Sequence, residues 1–498
     1  MNALRSTPIE ISENEFIRIG HNLINDIAQF NSTISERPVT QGKTPEDIQS
    51  LLGERNFPSN GESPSELISR TSEILFNNSL FNGHPKFMGY ITASAAPIGA
   101  LGDLLAATVN PNCGAFTLSP VATEIEKQTI QWLAEFIGVS SNYGGILVSG
   151  GNMANFTAFL AARTAKTPSN FKEDGFLSRS EKMMIYCSKT THTWIEKAAI
   201  LFGHGTKSVR WIETDDQNKM DLIALESAIK SDLEKGHKPF MVAGTAGDVS
   251  TGTIDDLQGI ADICKNYDLW FHVDGAYGVP AAILPENKTL FNGLQEADSI
   301  AMDPHKWLYS PLEAGCTLVK NPKHLIDTYS SHPEYYNFSN ANSEQNFYEY
   351  GLQNSRGFRA LKVWLMLQQV GRKGYEEMIK EDIELAELMF QKAQNHPRLE
   401  AKIQNLSITT FRYIPESIPE NIEDKNVYLN QLNETLVTRL QNGGKLFLSN
   451  AIINEQYCMR ACIVNFRTSK KDIEEIIDII VEEGAKINKA LILTETVK

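Results

Sequence analysis

The sequence predicts an α/β protein built on a mostly parallel sheet, with a smaller α+β unit at its C-terminal end. Two observations carry this. From about residue 144, short apolar runs alternate with longer amphipathic ones, the pattern of parallel strands joined by crossover helices. After Gly371 that alternation gives way to a helical stretch followed by several strand-like runs. With 498 residues, 42% of them hydrophobic, the chain is long enough for a large core and more than one domain.

Taken in order, residues 145–148 form the first predicted strand, followed by a glycine turn and a helix over 154–162. Strands follow at 183–187, 209–212, 240–243 and 270–273, each a short apolar run. Helices at 194–202, 222–233 and 257–267 separate them. The apolar stretch 299–302 is a further strand, stopping at the polar turn that starts with Asp303. Beyond Gly371, a helix leads into strand-like runs at 406–413, 445–448 and 461–466. The closing helix carries Ile473, Ile476, Ile477 and Ile480 at helical spacing. The acidic, proline-containing stretch 415–424 reads as an exposed loop.

A net charge of −15 lacks the basic footprint of a nucleic-acid binder. No uncharged apolar stretch of spanning length occurs, and residues 1–15 do not have the pattern of a secretion leader. The expectation is a soluble, cytoplasmic protein that acts on a small molecule. The six cysteines are scattered and read as small core residues; Cys458 and Cys462 are close but lack companion ligands, so no metal site is expected.

The chemistry gathers at strand ends. Asp303-Pro304-His305-Lys306-Trp307 follows one apolar strand and His272-Val273-Asp274-Gly275-Ala276 closes another, so a lysine amine and a carboxylate arrive at one sheet edge. That pair suits pyridoxal 5'-phosphate, whose aldehyde needs a lysine for a Schiff base and whose ring nitrogen needs an acid partner to serve as an electron sink. Ser149-Gly150-Gly151-Asn152-Met153 joins the first strand to a helix start, where the amides of Gly151, Asn152 and Met153 can seat a phosphate. His192, in the turn after the second strand, has a planar ring able to stack on the cofactor. Ala276 then lies against the opposite face.

Together with His84-Pro85-Lys86-Phe87 and the run from Arg356 to Trp364, these motifs resemble the group II pyridoxal-phosphate decarboxylases, and the resemblance covers nearly the whole chain. It implies the aspartate-aminotransferase fold, called fold type I, with a mostly parallel seven-stranded sheet in the large domain. It implies a homodimer with sites at the subunit interface. Residues 1–95 would pack on the partner, 96–371 would form the cofactor-binding domain and 372–498 the small domain. Lys306 would be the Schiff-base lysine, Asp274 the partner of the ring nitrogen, His192 the stacking residue and His305 a further phosphate contact. Tyr90, Ile91 and Phe116 would shape the substrate pocket, and Tyr90 with Phe116 favours an aromatic amino acid.

Two positions depart from the aromatic decarboxylase pattern. Asp303 stands where some relatives have Asn, and an ionised carboxylate cannot donate to phosphate. Asp248-Val249 stands where Thr-Thr is common, which removes a hydroxyl near the substrate carboxylate. The expected reaction is decarboxylation of an L-amino acid to its amine. An aldehyde synthase or another amino-acid-transforming activity on the same fold is the alternative, and an inactive cofactor-binding protein is the second. The proton donor is expected from residues 330–350, which hold Tyr335, Tyr336, Tyr348 and Tyr350. Counting back from Arg356 falls on Phe347-Tyr348, of which Tyr348 is the expected donor; within the family, phenylalanine at that position goes with aldehyde synthesis, so Phe347 in register would favour the alternative.

Overall fold

The computed structural model describes residues 7–53, 56–168, 171–178, 181–331, 344–418 and 422–495. Twelve strands form two sheets among them. In chain order they are β1 (Phe87–Met88), β2 (Gly144–Val148), β3 (Met183–Ser188), β4 (Val209–Ile212), β5 (Lys238–Thr245), β6 (Trp270–Asp274), β7 (Ser299–Met302), β8 (Gly315–Val319), β9 (Leu399–Asn405), β10 (Ile408–Tyr413), β11 (Phe447–Ile453) and β12 (Gln456–Cys462).

The large sheet has seven strands in the order β2-β8-β7-β6-β5-β3-β4. Pairs from β4 through β7 are parallel, while β8 runs antiparallel to both its neighbours, β2 and β7. The six strands that the apolar runs predict in this region appear where expected; β8 is an addition to them. The few residues between Lys306 and Gly315 cannot hold a crossover helix, so the chain returns against its own direction. Every residue of β3, β6, β7 and β8 is buried, as befits strands covered on both faces. The crossover helices Leu222–Glu234 and Leu257–Asn266 start at aspartates, Asp221 and Asp256, whose side chains accept from amides of the first turn.

The small sheet has the order β1-β11-β12-β10-β9. β11 and β12 form a hairpin across Asn454 and Glu455, which both take positive φ, 47° and 64°. That turn corrects the predicted strand at 461–466: pairing begins at Gln456 and ends at Cys462, because the register is set from the turn and not by the apolar run. Behind this sheet pack the helices Lys425–Asn442 and Lys470–Glu495, the latter burying the four predicted isoleucines. The helix Ala360–Asn395 reaches the small sheet and is interrupted at Gly371, with φ 64° and ψ 172°. The edge strand β1 comes from the N-terminal part of the chain and pairs parallel to β11.

Candidate active site

The carboxyl ends of parallel strands are where loops can gather polar groups around a ligand. Here the ends of β2, β3, β5, β6 and β7 surround a cavity of about 500 Å³, with Tyr90 and Ile91 contributing to its wall. Gly151, Asn152, Met153, His192, Asp274, Ala276, His305 and Lys306 all line it.

Lys306 enters this cavity one turn beyond β7. Its Nζ lies 3.1 Å from Oδ2 of Asp303, a carboxylate almost wholly buried. Among the described residues, Oδ1 of Asp303 has no hydrogen-bond partner. Asp303 cannot donate to a phosphate, and its place in the structure is that of countercharge to the lysine. His305 sits beside them, its Nε2 3.8 Å from the same Asp303 oxygen and its Nδ1 2.7 Å from the Ala314 carbonyl. Burial lowers the His305 pKa, opposed by the Asp303 charge.

Asp274, the last residue of β6, is fixed by donors on both oxygens. Oδ2 accepts from the Trp194 indole at 2.7 Å and Oδ1 from the Ala276 amide at 3.2 Å. Two residues earlier His272 is fully buried between Ser299 Oγ (2.8 Å) and Asn155 Oδ1 (2.7 Å), and burial takes its pKa down to about 4, so it is neutral. His192 opens toward the cavity while its Nδ1 accepts from the Trp194 amide at 3.3 Å. Surrounding protein desolvates the ring enough to lower its pKa, with Asp274 pulling the other way.

The glycine turn makes a cradle. Gly150 takes φ 116°, and the helix Gly151–Ala165 starts directly after it. Its first internal bond runs from the Ala154 amide to the Gly150 carbonyl at 3.0 Å, which leaves the preceding amides facing out of the helix end. A Cβ on Gly151 would stand 2.7 Å from Asp303 Oδ2 and 3.3 Å from the Ala276 Cβ, so only glycine keeps this approach open.

The loop carrying Tyr90 and Ile91 supplies another wall, and the small sheet holds it from behind in a way that local sequence patterns do not reveal. Tyr90, at φ 50°, donates its amide to Ser449 Oγ and accepts from Arg460 Nη1 at its carbonyl, both at 3.0 Å. Arg460 is 2% exposed, and its Nε and Nη2 have no partner among the described residues. A buried cation 370 residues from the loop it holds leaves no local signal. Arg356 pairs in the interior with Glu126 and Arg359 pairs with Glu313 at 2.6 Å, so both guanidinium groups are engaged within the protein. Asp248 lines the cavity, but its carboxylate accepts from the amides of Ser250, Thr251 and Thr253 and so closes its own turn.

Phe116 and Tyr348 lie elsewhere. Neither lines the Lys306 cavity of its own chain. They sit near each other, with the Tyr348 amide donating to the Gly114 carbonyl at 2.9 Å and the Phe116 amide to Asn346 Oδ1 at 3.1 Å. Phe347 is buried beneath the Arg356 guanidinium, 5.0 Å from its ring centroid. Tyr335 and Tyr336 lie outside the described residues.

A lysine amine, a fixed carboxylate, a flat ring and an amide-lined cradle around one cavity fit a phosphate-bearing aldehyde with a basic ring nitrogen. Comparison with known proteins agrees. Residues 45–414 match the family model described as the pyridoxal-dependent decarboxylase conserved domain. The chain is 32% identical over 476 residues to an aromatic-L-amino-acid decarboxylase of Bacillus atrophaeus, covering 95% of this chain and 96% of that one. It is 29% identical over 490 residues to a phenylacetaldehyde synthase of a Rosa hybrid cultivar, covering 95% and 94%. The crystal structure of Rhodiola rosea 4-hydroxyphenylacetaldehyde synthase superposes with a TM-score of 0.84 at 27% identity, covering 95% of this chain and 98% of that one. The chain therefore belongs to the pyridoxal-dependent decarboxylase family: a fold-type-I, pyridoxal-phosphate-dependent amino acid decarboxylase.

Proposed function

We propose that this enzyme converts an aromatic L-amino acid to its amine and carbon dioxide, acting as a cytoplasmic homodimer. The observation that carries the reading is the convergence of Lys306, Asp274 and His192 on one cavity with Tyr90 in its wall. The aromatic-L-amino-acid decarboxylase at 32% identity supports the substrate class.

When bound, pyridoxal phosphate supplies an aldehyde for amine exchange and a ring that takes up the electron pair left as carbon dioxide departs. Lys306 provides the amine that the substrate displaces, and Asp303 stands ready to hold it as ammonium once released. Asp274, clamped by Trp194 and Ala276, presents a negative charge that favours a protonated ring nitrogen. The amides at Gly151 to Met153, with His305, would hold the phosphate, and His192 and Ala276 would face the ring.

Phe116 and Tyr348 act, in this proposal, from the partner subunit. Apolar side chains left exposed on the surface support a partner: Phe16 on the helix Glu13–Thr33, Leu104, Leu105 and Val109 on Pro97–Val109, and Val121 nearby. Tyr348 then delivers the proton to the substrate α-carbon. We propose the division into 1–95, 96–371 and 372–498 on the same basis. Among the described residues no helix is long and apolar enough to cross a membrane, and the six cysteines are unpaired thiols, as in a reducing compartment.

A panel of L-amino acids assayed for carbon dioxide release with added cofactor tests the reading; release from glutamate or histidine but from no aromatic substrate would refute the substrate class. The aldehyde-synthase reading has its own support in the rose and Rhodiola relatives and in Phe347 beside Tyr348. Amine as product favours the decarboxylase; aldehyde with ammonia and peroxide favours the synthase.

A further inference from the structure

The turn that follows Lys306 is held from outside the cavity. Trp307, Leu308 and Tyr309 are all buried, and Tyr309 takes φ 61°. A bulky residue adopts that left-handed conformation only where its surroundings hold it. Within the turn, the Tyr309 amide donates to the Lys306 carbonyl and the Ser310 amide to the Pro304 carbonyl, each at 3.1 Å.

The outer hold comes from the helix Ala360–Asn395, beyond its break at Gly371. Asp382 Oδ2 accepts the Trp307 indole N–H at 2.8 Å and also the Tyr309 hydroxyl. The Tyr375 hydroxyl donates to the Leu308 carbonyl at 3.3 Å. On its other side Trp307 stacks on Tyr277, with ring centroids 5.0 Å apart and planes 12° apart. Tyr277 lies three residues past Asp274. A single carboxylate thus reaches, through Trp307, both turns that carry the cofactor chemistry.

We infer that Asp382 is a positioning residue for Lys306: its carboxylate holds Trp307 and Tyr309 in the arrangement that aims the lysine amine into the cavity. It touches neither cofactor nor substrate, and the inference rests on the family's cofactor and not on the proposed substrate class.

The groups facing Asp382 are Trp307, Tyr309, the backbone amide of Asn465 and the like charge of Glu381, with Tyr375 and Cys462 nearby. No salt bridge to Asp382 is present among the described residues. Burial pushes its carboxyl up to about 7, against the pull of the hydrogen bonds from Tyr309 and Trp307. A charged acceptor binds these donors more strongly than a neutral one.

The test uses holoenzyme carrying Asp382→Asn, Tyr309→Phe, or both. Three quantities are read: the rate of cofactor loss on dialysis, the pH midpoint of the bound cofactor's visible absorbance, and the reactivity of Lys306 in the stripped enzyme toward pyridoxal. Folded Asp382→Asn should lose cofactor about 10-fold faster, as displacement of a reacting group by a fraction of an ångström predicts, and should shift the pH midpoint. Tyr309→Phe should act in the same direction, and the double variant should be no worse than Asp382→Asn. Unchanged cofactor loss and pH midpoint in folded Asp382→Asn would overturn the inference, as would full additivity in the double variant. Should Asp382→Asn fail to fold, Tyr309→Phe decides by the same readouts, since it lacks only a hydroxyl. None of these measurements needs a substrate, so a wrong substrate class would leave their outcome unchanged.

Discussion

The Lys306 cavity and the patch holding Phe116 and Tyr348 are built from opposite kinds of contact. Around the cavity, reactive groups have partners within their own chain: Asp303 for Lys306, Trp194 and Ala276 for Asp274, the Trp194 amide for His192. In the patch, the backbone is tied down through Gly114 and Asn346, yet neither named side chain lines a cavity containing Lys306. The groups proposed to orient the cofactor are therefore fixed within one chain, whereas Tyr348, if it is the proton donor proposed above, has to act from outside that chain's own cavity.

Removing the lysine should have the largest effect. Lys306→Ala should abolish turnover and the visible absorbance of lysine-bound cofactor while leaving the far-UV circular dichroism intact; retained absorbance would move the covalent link to another residue. Asp274→Asn comes next, with a loss of about 10²–10³-fold in kcat, the usual cost of removing one well-placed electrostatic partner. Activity within a few-fold of wild type would take Asp274 out of the mechanism.

The patch is probed by mixing. If it acts across the interface, refolding Lys306→Ala chains with Tyr348→Phe chains should restore about a quarter of wild-type amine formation, since half the dimers are mixed and each mixed dimer has one intact site. No recovery would place both residues in one chain's site; about half of wild-type activity, with Tyr348→Phe active by itself, would remove Tyr348 from the reaction. Tyr348→Phe alone should lower amine yield and raise aldehyde, and an unchanged product ratio would make it a packing residue.

Two smaller effects come from the supports behind the cavity. Arg460→Met should destabilise the fold by about 1–3 kcal/mol, because the Tyr90 carbonyl loses its donor, and should raise KM more than it lowers kcat. Asp255 is buried and its carboxyl is raised to about 6, so the stability it contributes is complete below its unfolded value and is lost as pH rises through 6. The stability gap between wild type and Asp255→Asn should therefore move in the variant's favour by on the order of 2 kcal/mol from pH 4 to pH 8, as read by denaturant titration.

What is legible in the sequence follows the same division. The turns after β2, β6 and β7 can be read because a buried parallel strand places its functional residue directly after an apolar run, within a few positions of chain. Trp194 cannot be assigned to Asp274, 80 residues away, since nothing local marks an indole as a donor to a distant carboxylate. Arg460 is hidden for a related reason: its burial depends on a sheet assembled from both halves of the chain. The Asp303 contact illustrates a chemical limit: the residue type excludes a donor to phosphate, yet it does not show that the carboxylate's neighbour in space is Lys306.

The pairing of β1 with β11 also bears on how the chain is made. Phe87 and Met88 take their places beside Phe447 and Leu448, so about 360 residues must be synthesised before the strand meets its partner, roughly 20–70 s at ribosomal rates. Throughout that time the ribosome-bound chain carries an apolar segment whose native strand partner does not yet exist. The seven strands of the large sheet are all complete by Val319 and can assemble while the small sheet waits. Birth order thus separates the two halves of the cavity wall: the strands beneath the cofactor's seat can assemble first, and the hold on Tyr90 closes only once Ser449 and Arg460 have been made.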